Sequence, residues 1–551
     1  MKSEIHRQPT LPRLVWGQKF RKLTAGIVAA DCLAVLTGCA LPLFQKYLID
    51  GATSGNRRII WGALFILAAL TVAGAFLRTL ARLGRGRLSI RCRNELQSKI
   101  FKHIMLLPED FLQSRGAGYF FNRIQHDIAE VTLFIAHGGL VCYPEILKLL
   151  LAMAAISILD WRYALFILPF IAVQAWLCLL FRPRQFRLAR KIQEKTANER
   201  HTMQELISSH RLIKTHNSND EAQQRIDKGL SGLTRLIHRK QDHDNLLQLL
   251  LQLPVWLCGG MIVLAGMLEV ADKTTTLGQV WALLGLLMLA FAPVRMLGSI
   301  FAQAQAAEAA WLRMRELWAE NTEHCDRKND SIRLTGDIAF NGVSFSYSPE
   351  KVLIENLSLY VPANSGIFIT GADGSGKSTL LSLLLRLFEV RSGSISIGGI
   401  PIRQTELSAY RSRIGYIGQQ PEFFKGTLRE NLSMGNPACT DEKIIDMFHE
   451  LQFDSLLAQL PHGLETPVME QGENFSGGEK LRLALIRELL RDTDLLLFDE
   501  PAANLDRAGR QQFYALLQKL PAQKTVFAVV HDLPENCRWP VIDLSSPGAE
   551  Q

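Results

Sequence analysis

The sequence predicts an all-α transmembrane domain of six helices with long intracellular extensions, followed by an α/β domain with a largely parallel core sheet. Two observations predict this order. Long apolar stretches with few charges fill the chain before residue 305, and short strand-like runs alternate with helical patterns after residue 331. The 551 residues are 48% apolar and 21% charged, which excludes a disordered chain and indicates more than one domain.

Six apolar segments are long enough to span a membrane, because crossing ~30 Å of hydrocarbon takes about 20 helical residues. They lie near residues 24–45, 58–77, 138–159, 162–182, 246–268 and 277–300. Apolar residues recur at helical spacing in the two long polar stretches that separate some of these segments. We therefore expect those stretches to continue the membrane helices inward.

The distribution of positive charge predicts the orientation of these segments. Lys and Arg are concentrated in residues 1–23, 78–130 and 182–245, which flank the apolar segments. Such stretches stay on the cytoplasmic side of a membrane. We therefore expect a multi-pass protein of the cell (inner) membrane with a cytoplasmic N-terminus. This placement explains the net charge of +8 better than a nucleic-acid partner does.

Three ionisable residues lie inside the predicted spans, where charge is costly and often functional: Asp31, Glu145 and Lys148. Contact with a transported molecule is one interpretation. The alternatives are structural: Glu145 and Lys148 are three residues apart on a helix and can pair, and Asp31 is near enough to its span's end to reach water. The nine Cys show no close, regular spacing, which argues against a disulfide framework or a zinc site.

Composition shifts predict the domain boundaries. A polar stretch from residue 321 to 329 marks a linker, so we expect a cytoplasmic N-terminal segment at 1–23, the transmembrane domain at 24–320, the linker at 321–331 and the α/β domain at 332–551. The predicted strands of the last domain lie at 338–346, 366–370, 394–397, 415–417, 495–498 and 525–530. The predicted helices between several of them lie at 378–388, 477–491 and 508–519.

A glycine-rich loop follows the second of these strands and fits the pattern G-x4-G-K-[ST]. Its residues are Gly371, Ala372, Asp373, Gly374, Ser375, Gly376, Lys377 and Ser378, with Thr379 next in the helix. Glycines let backbone N–H groups converge on phosphate oxygens, and the helix that follows adds its positive dipole end. We expect Lys377 to reach the terminal phosphates and Ser378 to hold Mg²⁺.

Two carboxylates, Asp499 and Glu500, end the apolar strand at 495–498. A parallel sheet places them at its carboxyl edge, where such domains bind ligands. We expect Asp499 to bind Mg²⁺ through water and Glu500 to polarise the water that attacks the γ-phosphate. A solvated strand end is the alternative, and the phosphate-binding loop upstream argues against it.

The domain resembles the ATPase domain of the ATP-binding cassette (ABC) transporters. Besides the loop and the carboxylate pair, the motifs that carry the resemblance are the signature Phe475-Ser476-Gly477-Gly478-Glu479, the glutamine Gln419, the loop Asn504-Leu505-Asp506, the switch histidine His531, the aromatic Tyr347 and the exporter-type Glu470. They occur in the family's order. The resemblance therefore implies an ATP-hydrolysing enzyme with ATP and Mg²⁺ as its ligands.

The resemblance also implies a role for each motif. Ser476, Gly477, Gly478 and Glu479 bind the nucleotide held by the other subunit, so that a head-to-tail dimer encloses two ATP. Gln419 senses Mg²⁺ and the attacking water, His531 contacts the γ-phosphate and holds Glu500, Tyr347 stacks on adenine, and Asp506 belongs to the nucleotide site. The catalytic set is thus Glu500, His531, Gln419 and Lys377. Ser378, Gln419 and Asp499 form the metal set.

Looser motifs extend the resemblance across the membrane half. Residues 42–51 are similar to the end of the first exporter helix, 118–127 to the first intracellular coupling segment and 205–214 to the second. Phe475 and Glu479 depart from the family's usual Leu and Gln, which leaves the Ser-Gly-Gly core intact. Few residues follow His531, which predicts shortened final strands and helices. The first membrane helix begins near residue 24, so no N-terminal peptidase domain is expected.

The sequence therefore predicts a half-transporter that works as a dimer. ATP binding closes the ATPase domains and turns the membrane cavity outward, and hydrolysis resets it. A homodimer is favoured over two unlike chains because one chain carries every ATPase motif. Export is favoured; the alternatives are an importer on the same scaffold, such as a siderophore importer, an ATP-gated channel and a soluble ATPase. The cargo stays open among lipids, amphipathic drugs, hydrophobic peptides and siderophores.

Overall fold

The computed structural model describes residues 20–323, 333–347, 352–434, 436, 439–503, 505–520, 524–534 and 537–544. Most of the predicted segment 1–23, most of the linker 321–331 and Asn504 therefore lie outside the described residues. The chain forms two compact units. The first comprises residues 1–105 and 118–320, and the second comprises residues 106–117 and 321–551.

Long helices build the first unit. In chain order, the helices from residue 21 to residue 319 are α1 Arg21–Thr53, α2 Arg57–Ile104, α3 Glu109–Asn122, α4 Ile128–Phe134, α5 Leu140–Leu159, α6 Trp161–Ser208, α7 His210–Thr215, α8 Asn219–Ala271 and α9 Leu277–Ala319. Residues 109–117 of α3 belong to the second unit. Single π-helical turns at Arg123–Asp127 and Ile135–Gly139 make the helix continuous from the part of α3 that follows Gly116, through α4, to the end of α5. Six helical stretches of the described chain are long and apolar enough to cross a membrane, as the sequence predicts.

The short connections between spans carry side chains that begin the next helix. Asn56 Oδ1 accepts the Arg58 N–H at 3.2 Å, and Asp160 Oδ1 accepts the Arg162 N–H at 2.8 Å. Each bond satisfies a first-turn donor that has no partner within the helix. Polar residues between apolar runs therefore set where α2 and α6 begin.

The core of the first unit forms where α9 packs against α5, α6 and α8. Its buried side chains include Ile156, Ile167, Ile262, Leu286 and Phe291. Large apolar side chains also cover the outer faces of the helices: Phe65 is 75% exposed and Ile158 is 85% exposed. Exposed apolar surface on this scale suits helices that face hydrocarbon.

The second unit contains eleven described strands and several short helices. The strands are β1 Ile338–Phe345, β2 Ile354–Val361, β3 Gly366–Thr370, β4 Ser392–Ile397, β5 Ile400–Pro401, β6 Ile414–Ile417, β7 Gly426–Thr427, β8 Pro467–Val468, β9 Leu495–Asp499, β10 Thr525–Val529 and β11 Val541–Asp543. The helices are α10 Lys377–Leu384, α11 Leu407–Ser412, α12 Leu428–Leu432, α13 Asp441–Glu450, α14 Asp454–Gln459, α15 Gly477–Leu490 and α16 Arg507–Leu517.

The core sheet has the order β11-β3-β10-β9-β6, and all of its pairings are parallel, which confirms the predicted fold class. Alternate side chains of its central strands enter two different cores. Phe498 lies in one cluster and Leu497 in the other, and on β10 Ala528 and Phe527 divide in the same way. Both faces of the core sheet are covered, so the sequences of its central strands are unbroken apolar runs.

The sequence did not predict the antiparallel sheet, of order β2-β1-β4-β5, as a separate layer, and it missed β2 altogether.

The strand order of the parallel sheet has a direct consequence for the site. The carboxyl ends of β3, β9 and β10 are neighbours, so the segments that follow them meet at one edge.

Candidate nucleotide site

The glycine-rich loop curls between β3 and α10 as the motif requires. Gly374 and Gly376 have φ angles of +78° and +97°, a region that other residues rarely adopt. The Lys377 ammonium folds back over the loop and donates to the Gly371 carbonyl at 2.8 Å and to the Ala372 carbonyl at 3.1 Å. The loop therefore surrounds a buried cation at the start of a helix.

Two polar groups in the loop suit a phosphate ligand. The buried Ser375 hydroxyl has no hydrogen-bond partner among the described residues. Lys377 is 6% exposed, and the carboxylate in ion-pair distance of it belongs to the exposed Asp373, at 3.8 Å. Buried polar and charged groups are costly unless a partner satisfies them. Phosphate oxygens supply both an acceptor and a counter-charge, so this donor set fits the phosphates of ATP.

A cavity of about 450 Å³ opens over the loop. Its lining residues are Tyr347, Leu353, Asp373, Gly374, Gly376, Lys377, Ser378, Thr379 and Glu500. The Tyr347 hydroxyl lies 3.0 Å from Thr379 Oγ1, and its ring packs edge-on against Phe345 and Phe388. These contacts fix an exposed aromatic ring at the mouth of the cavity, a placement that suits stacking on a base.

Ser378 and Asp499 meet at the base of the cavity. The Ser378 hydroxyl donates to Asp499 Oδ1 at 2.9 Å, although 121 residues separate them along the chain. Burial raises the pKa of the Asp499 carboxyl, and the Ser378 hydrogen bond opposes that shift. A hydroxyl beside a carboxylate is an oxygen donor set of the kind that Mg²⁺ binds.

Glu500 lies next to this pair and is contacted from two sides. Gln419 Nε2 donates to Glu500 Oε2 at 3.3 Å, and His531 Nε2 lies 3.1 Å from the same oxygen. Glu500 has a φ of +49°, and its N–H donates to the Val529 carbonyl at 3.2 Å. Strained residues of this kind persist where neighbours over-determine them, commonly at active sites. The structure thus joins three predicted catalytic residues at one oxygen.

The signature lies outside this cavity. None of the described residues that line the cavity comes from Ser476–Glu479. Ser476 instead begins α15: its hydroxyl accepts the Glu479 N–H at 3.3 Å, and the Glu479 carboxylate accepts the Ser476 N–H at 2.7 Å. This reciprocal cap leaves Gly477 exposed at a helix N-terminus. Phe475 is buried in the core, so its ring packs inside its own subunit.

Asp506 also lies outside the residues described as lining the cavity. Its Oδ1 accepts the Gly509 N–H at 2.9 Å and so caps α16. This contact assigns Asp506 a structural role, and the predicted nucleotide contact stays a prediction.

Comparisons with known proteins agree with this geometry. The family model described as ABC transporter matches residues 354–503, and the model described as ABC transporter transmembrane region matches residues 25–294. Together they cover most of the chain and both kinds of domain. The chain belongs to the ABC transporter family.

Relatives of this ABC transporter match it along nearly its whole length. The ATP-dependent lipid A-core flippase of Nitrosococcus oceani is 28% identical over 535 residues, which cover 94% of this chain and 88% of the flippase. A multidrug resistance ABC transporter ATP-binding and permease protein of Lactococcus lactis subsp. cremoris is 26% identical over 515 residues, covering 92% of this chain and 85% of that protein.

A solved structure shares the fold. A bacterial Atm1-family ABC exporter with ATP bound superposes with a TM-score of 0.80 at 21% identity, covering 93% of this chain and 91% of that one. The chain is therefore a multi-pass membrane protein with an exporter-type architecture. It binds and hydrolyses ATP to drive transport, and as a half-transporter it works as a dimer in lipid.

The structure of this ABC transporter adds a residue that sequence reasoning missed. The Tyr416 hydroxyl, on β6, hydrogen-bonds Asp499, and its pKa rises to about 12 because it is desolvated beside that carboxylate. Tyr416 thus holds the buried Asp499 from a second side. The signal available in the sequence was its position on the strand that leads into Gln419.

A segment between the second and third membrane spans belongs to the ATPase unit. Residues 106–117 group with it, and Gly116, with a φ of +70°, breaks α3 where this segment ends. Pro108 and Asp110 line a cavity of about 420 Å³ together with Tyr347. The sequence placed the first coupling segment at 118–127, directly after these residues.

Glu323 anchors the described start of the linker within the same unit. Its carboxylate accepts two hydrogen bonds from Arg411, at 2.7 and 2.9 Å, and its N–H donates to the Leu106 carbonyl at 2.7 Å. A two-bond guanidinium–carboxylate pair fixes direction as well as distance. One residue therefore ties the linker to α11 and to segment 106–117.

The ionisable residues singled out in the spans have charged partners. Asp31 pairs with Arg85, and Lys148 donates to Glu145 at 2.6 Å. These pairs favour the structural alternatives over contact with a transported molecule. A third cluster was not predicted: the buried Asp127 binds Arg123 at 2.8 Å and Arg313, on α9, at 2.5 Å.

Proposed function

We propose that this chain is a homodimeric exporter of the cell (inner) membrane, with its ATPase domain in the cytoplasm and a lipid-like amphiphile as its cargo. The meeting of Gln419, His531 and Glu500 beside the phosphate-binding loop carries the ATPase assignment. One chain holds every motif of a complete site, which supports two identical copies. The distribution of Lys and Arg supports the cytoplasmic placement.

The residues divide the work as follows. Lys377 and the loop N–H groups bind the β- and γ-phosphates and neutralise their charge, while Tyr347 stacks on adenine. Ser378 and Asp499 hold Mg²⁺, with Gln419 beside it. The bound Mg²⁺ supplies charge neutralisation at the phosphates. Glu500 accepts the proton of the attacking water, and His531 keeps the Glu500 carboxylate in position.

The signature acts on the nucleotide of the other copy. Ser476–Glu479 lie outside the described lining of their own cavity, and the exposed N-terminus of α15 offers backbone donors to an anion. The signature of one copy therefore contacts the γ-phosphate of the nucleotide that is bound at the loop of the other copy. ATP binding draws the two copies together, and hydrolysis releases them.

The names of the relatives support the cargo class. One relative is named a lipid A-core flippase and another a multidrug resistance transporter, and a lipid and drugs as cargo agree with a lipid-like amphiphile. We expect the purified chain, reconstituted in liposomes, to move a fluorescent lipid between leaflets in an ATP-dependent way. Movement away from the leaflet that faces the ATPase domain is export. Movement in the opposite direction indicates import, and steady ion current indicates a channel.

The homodimer has a separate test. We expect co-expressed copies of the same chain with different affinity tags to purify together. Mixing wild-type copies with Glu500→Gln copies then places one impaired site in some dimers. The dependence of ATP turnover on the mixing ratio shows whether hydrolysis at one site requires an intact second site. Recovery of singly tagged material alone contradicts the homodimer.

A further inference from the structure

A carboxylate of this chain lies at the N-terminus of α15, where the proposed function places the nucleotide of the other copy. The Ser476 N–H donates to Glu479 Oε2 at 2.7 Å, and the Ser476 hydroxyl donates to the same oxygen at 2.8 Å. An ionised carboxylate only accepts hydrogen bonds, so the one hydroxyl proton of Ser476 points at Glu479. Two donors of the signature are therefore already bound to an anion of their own helix.

Two other donors at this helix end are open. The Gly477 and Gly478 N–H groups have no hydrogen-bond partner among the described residues, because the first turn of a helix offers them no carbonyl. The helix dipole favours negative charge at this end, and its effect is confined to the first turn. A phosphate that binds these two N–H groups therefore lies in the same turn as the Glu479 carboxylate.

The charge of Glu479 is not neutralised by a neighbouring side chain. Within the ranges that the structure describes, no basic group lies in ion-pair distance of its carboxylate. Glu488, farther along α15, shows the contrast, because it pairs with Arg487 at 3.2 Å and with Arg491 at 2.8 Å. Like charges a few ångströms apart repel, and the repulsion grows when water is excluded. The γ-phosphate of a second copy's nucleotide thus approaches an unpaired negative charge.

We infer that Glu479 competes with the γ-phosphate of the other copy's nucleotide for the Ser476 donors, and that its charge weakens closure of the dimer on ATP. The inference rests on the proposed function, in which Ser476–Glu479 contact that nucleotide. Closure requires the Ser476 hydroxyl to turn from Glu479 to the phosphate, and it brings two anions together. Glu479 thereby raises the ATP concentration at which the two copies close.

A glutamine at this position separates the charge from the shape. Its amide oxygen accepts the Ser476 N–H as the carboxylate does, but a neutral acceptor holds the hydroxyl proton more weakly and repels no phosphate. A purely structural role predicts the opposite sign. Glu479 completes the cap of α15 and favours its dipole. If that were its whole role, its neutralisation would lower the Tm and weaken the contact with ATP.

The test measures how much ATP the full-length dimer encloses in nanodiscs. In a Glu500→Gln background, in which hydrolysis does not release the nucleotide, the radiolabelled ATP retained after rapid desalting with Mg²⁺ reports the closed dimers. We expect Glu479→Gln to lower the half-saturating ATP concentration about tenfold, the effect of one charge-assisted interaction. The Tm without nucleotide falls slightly in the same variant, because the cap is weaker.

Matched variants show that the effect comes from this charge. Glu479→Asp keeps the negative charge, so its half-saturating ATP concentration stays well above that of Glu479→Gln. Glu473→Gln removes an exposed carboxylate that precedes the signature and takes no part in the cap, so it leaves the half-saturating concentration unchanged. All of these variants carry Glu500→Gln and are compared with that parent.

Two results overturn the inference. The first is an unchanged or higher half-saturating ATP concentration in Glu479→Gln. The second is an equal fall in Glu479→Asp or in Glu473→Gln, which assigns the effect to side-chain shape or to the overall charge of the surface. Either result, with ATP retained by the parent, contradicts the role of Glu479 alone. No retention of ATP by the parent at any concentration contradicts the proposed function itself.

Discussion

Buried charges behave differently in the two units of this transporter. In the membrane unit Asp31, Glu145 and Asp127 each have a basic partner on the protein. In the ATPase unit the Lys377 ammonium contacts backbone carbonyls, and the Ser375 hydroxyl has no partner among the described residues. Charges that hold helices together are satisfied by the protein. Charges that act on a ligand are left for the ligand to satisfy.

The largest expected effect concerns a residue that acts on the ligand. Glu500→Gln removes the proton acceptor while keeping the side-chain shape, so ATP turnover falls by about 10²–10⁴-fold and ATP binding persists. Turnover and nucleotide binding are measured on the purified dimer. Glu442→Gln, on the exposed face of α13, is the matched control and leaves turnover unchanged. Near-normal turnover in Glu500→Gln refutes the assigned role.

The next largest effect concerns a buried charge that is paired within the protein. Asp127→Ala leaves Arg123 and Arg313 without their shared carboxylate, and breaking a buried pair costs about 3–5 kcal/mol of stability. We expect a markedly lower Tm, measured by size-exclusion chromatography of heated samples. Glu194→Ala breaks an exposed pair with Arg190 and costs less than about 0.5 kcal/mol. Equal losses in the two variants show that burial does not distinguish these pairs.

A third change sharpens the comparison within the loop. Lys377→Ala removes a cation whose ion pair is with the exposed Asp373, at 3.8 Å, so the fold loses little and the ligand loses a charge-assisted contact. ATP affinity falls about 10- to 100-fold, with a small change in Tm. The same measurements on Lys480→Ala, in α15, serve as the comparison. A large loss of stability with unchanged ATP affinity is the contrary result.

The smallest effect concerns Asp506, which the sequence assigned to the ligand and the structure uses as a cap. Asp506→Ala lowers stability by about 1 kcal/mol, and Asp506→Ser, which can cap, restores most of it. ATP affinity, measured on both variants, decides between the two roles. Weaker ATP binding by both variants at unchanged Tm supports the nucleotide contact instead.

The residues that sequence reasoning located share a local signal. The loop from Gly371 to Ser378 and the strand before Asp499 are contiguous patterns, and strand–loop–helix order follows from turn chemistry and apolar runs. The convergence of Gln419 and His531 on Glu500 depended on resemblance, because 81 residues separate Gln419 from Glu500. Spacing along the chain carries no information on that distance.

The residues that sequence reasoning missed depend on tertiary packing alone. Arg313 and Asp127 are 186 residues apart, and each reads as an ordinary helix-surface charge. Tyr416 reads as a strand residue, and only the pairing of β6 with β9 brings its hydroxyl to Asp499. Segment 106–117 reads as part of a long polar stretch between spans. The left-handed Gly116 that ends it is one glycine among 40.

The membership of residues 106–117 in the ATPase unit bears on how this protein can be dissected. A recombinant fragment that starts at residue 321 omits them, which uncovers the Leu106 carbonyl's partner Glu323 and removes one wall of the space beside Tyr347. Nucleotide affinities measured on such a fragment are those of an ATPase unit that lacks residues 106–117. Grafting Leu106–Ala117 onto it as a tethered peptide restores that wall.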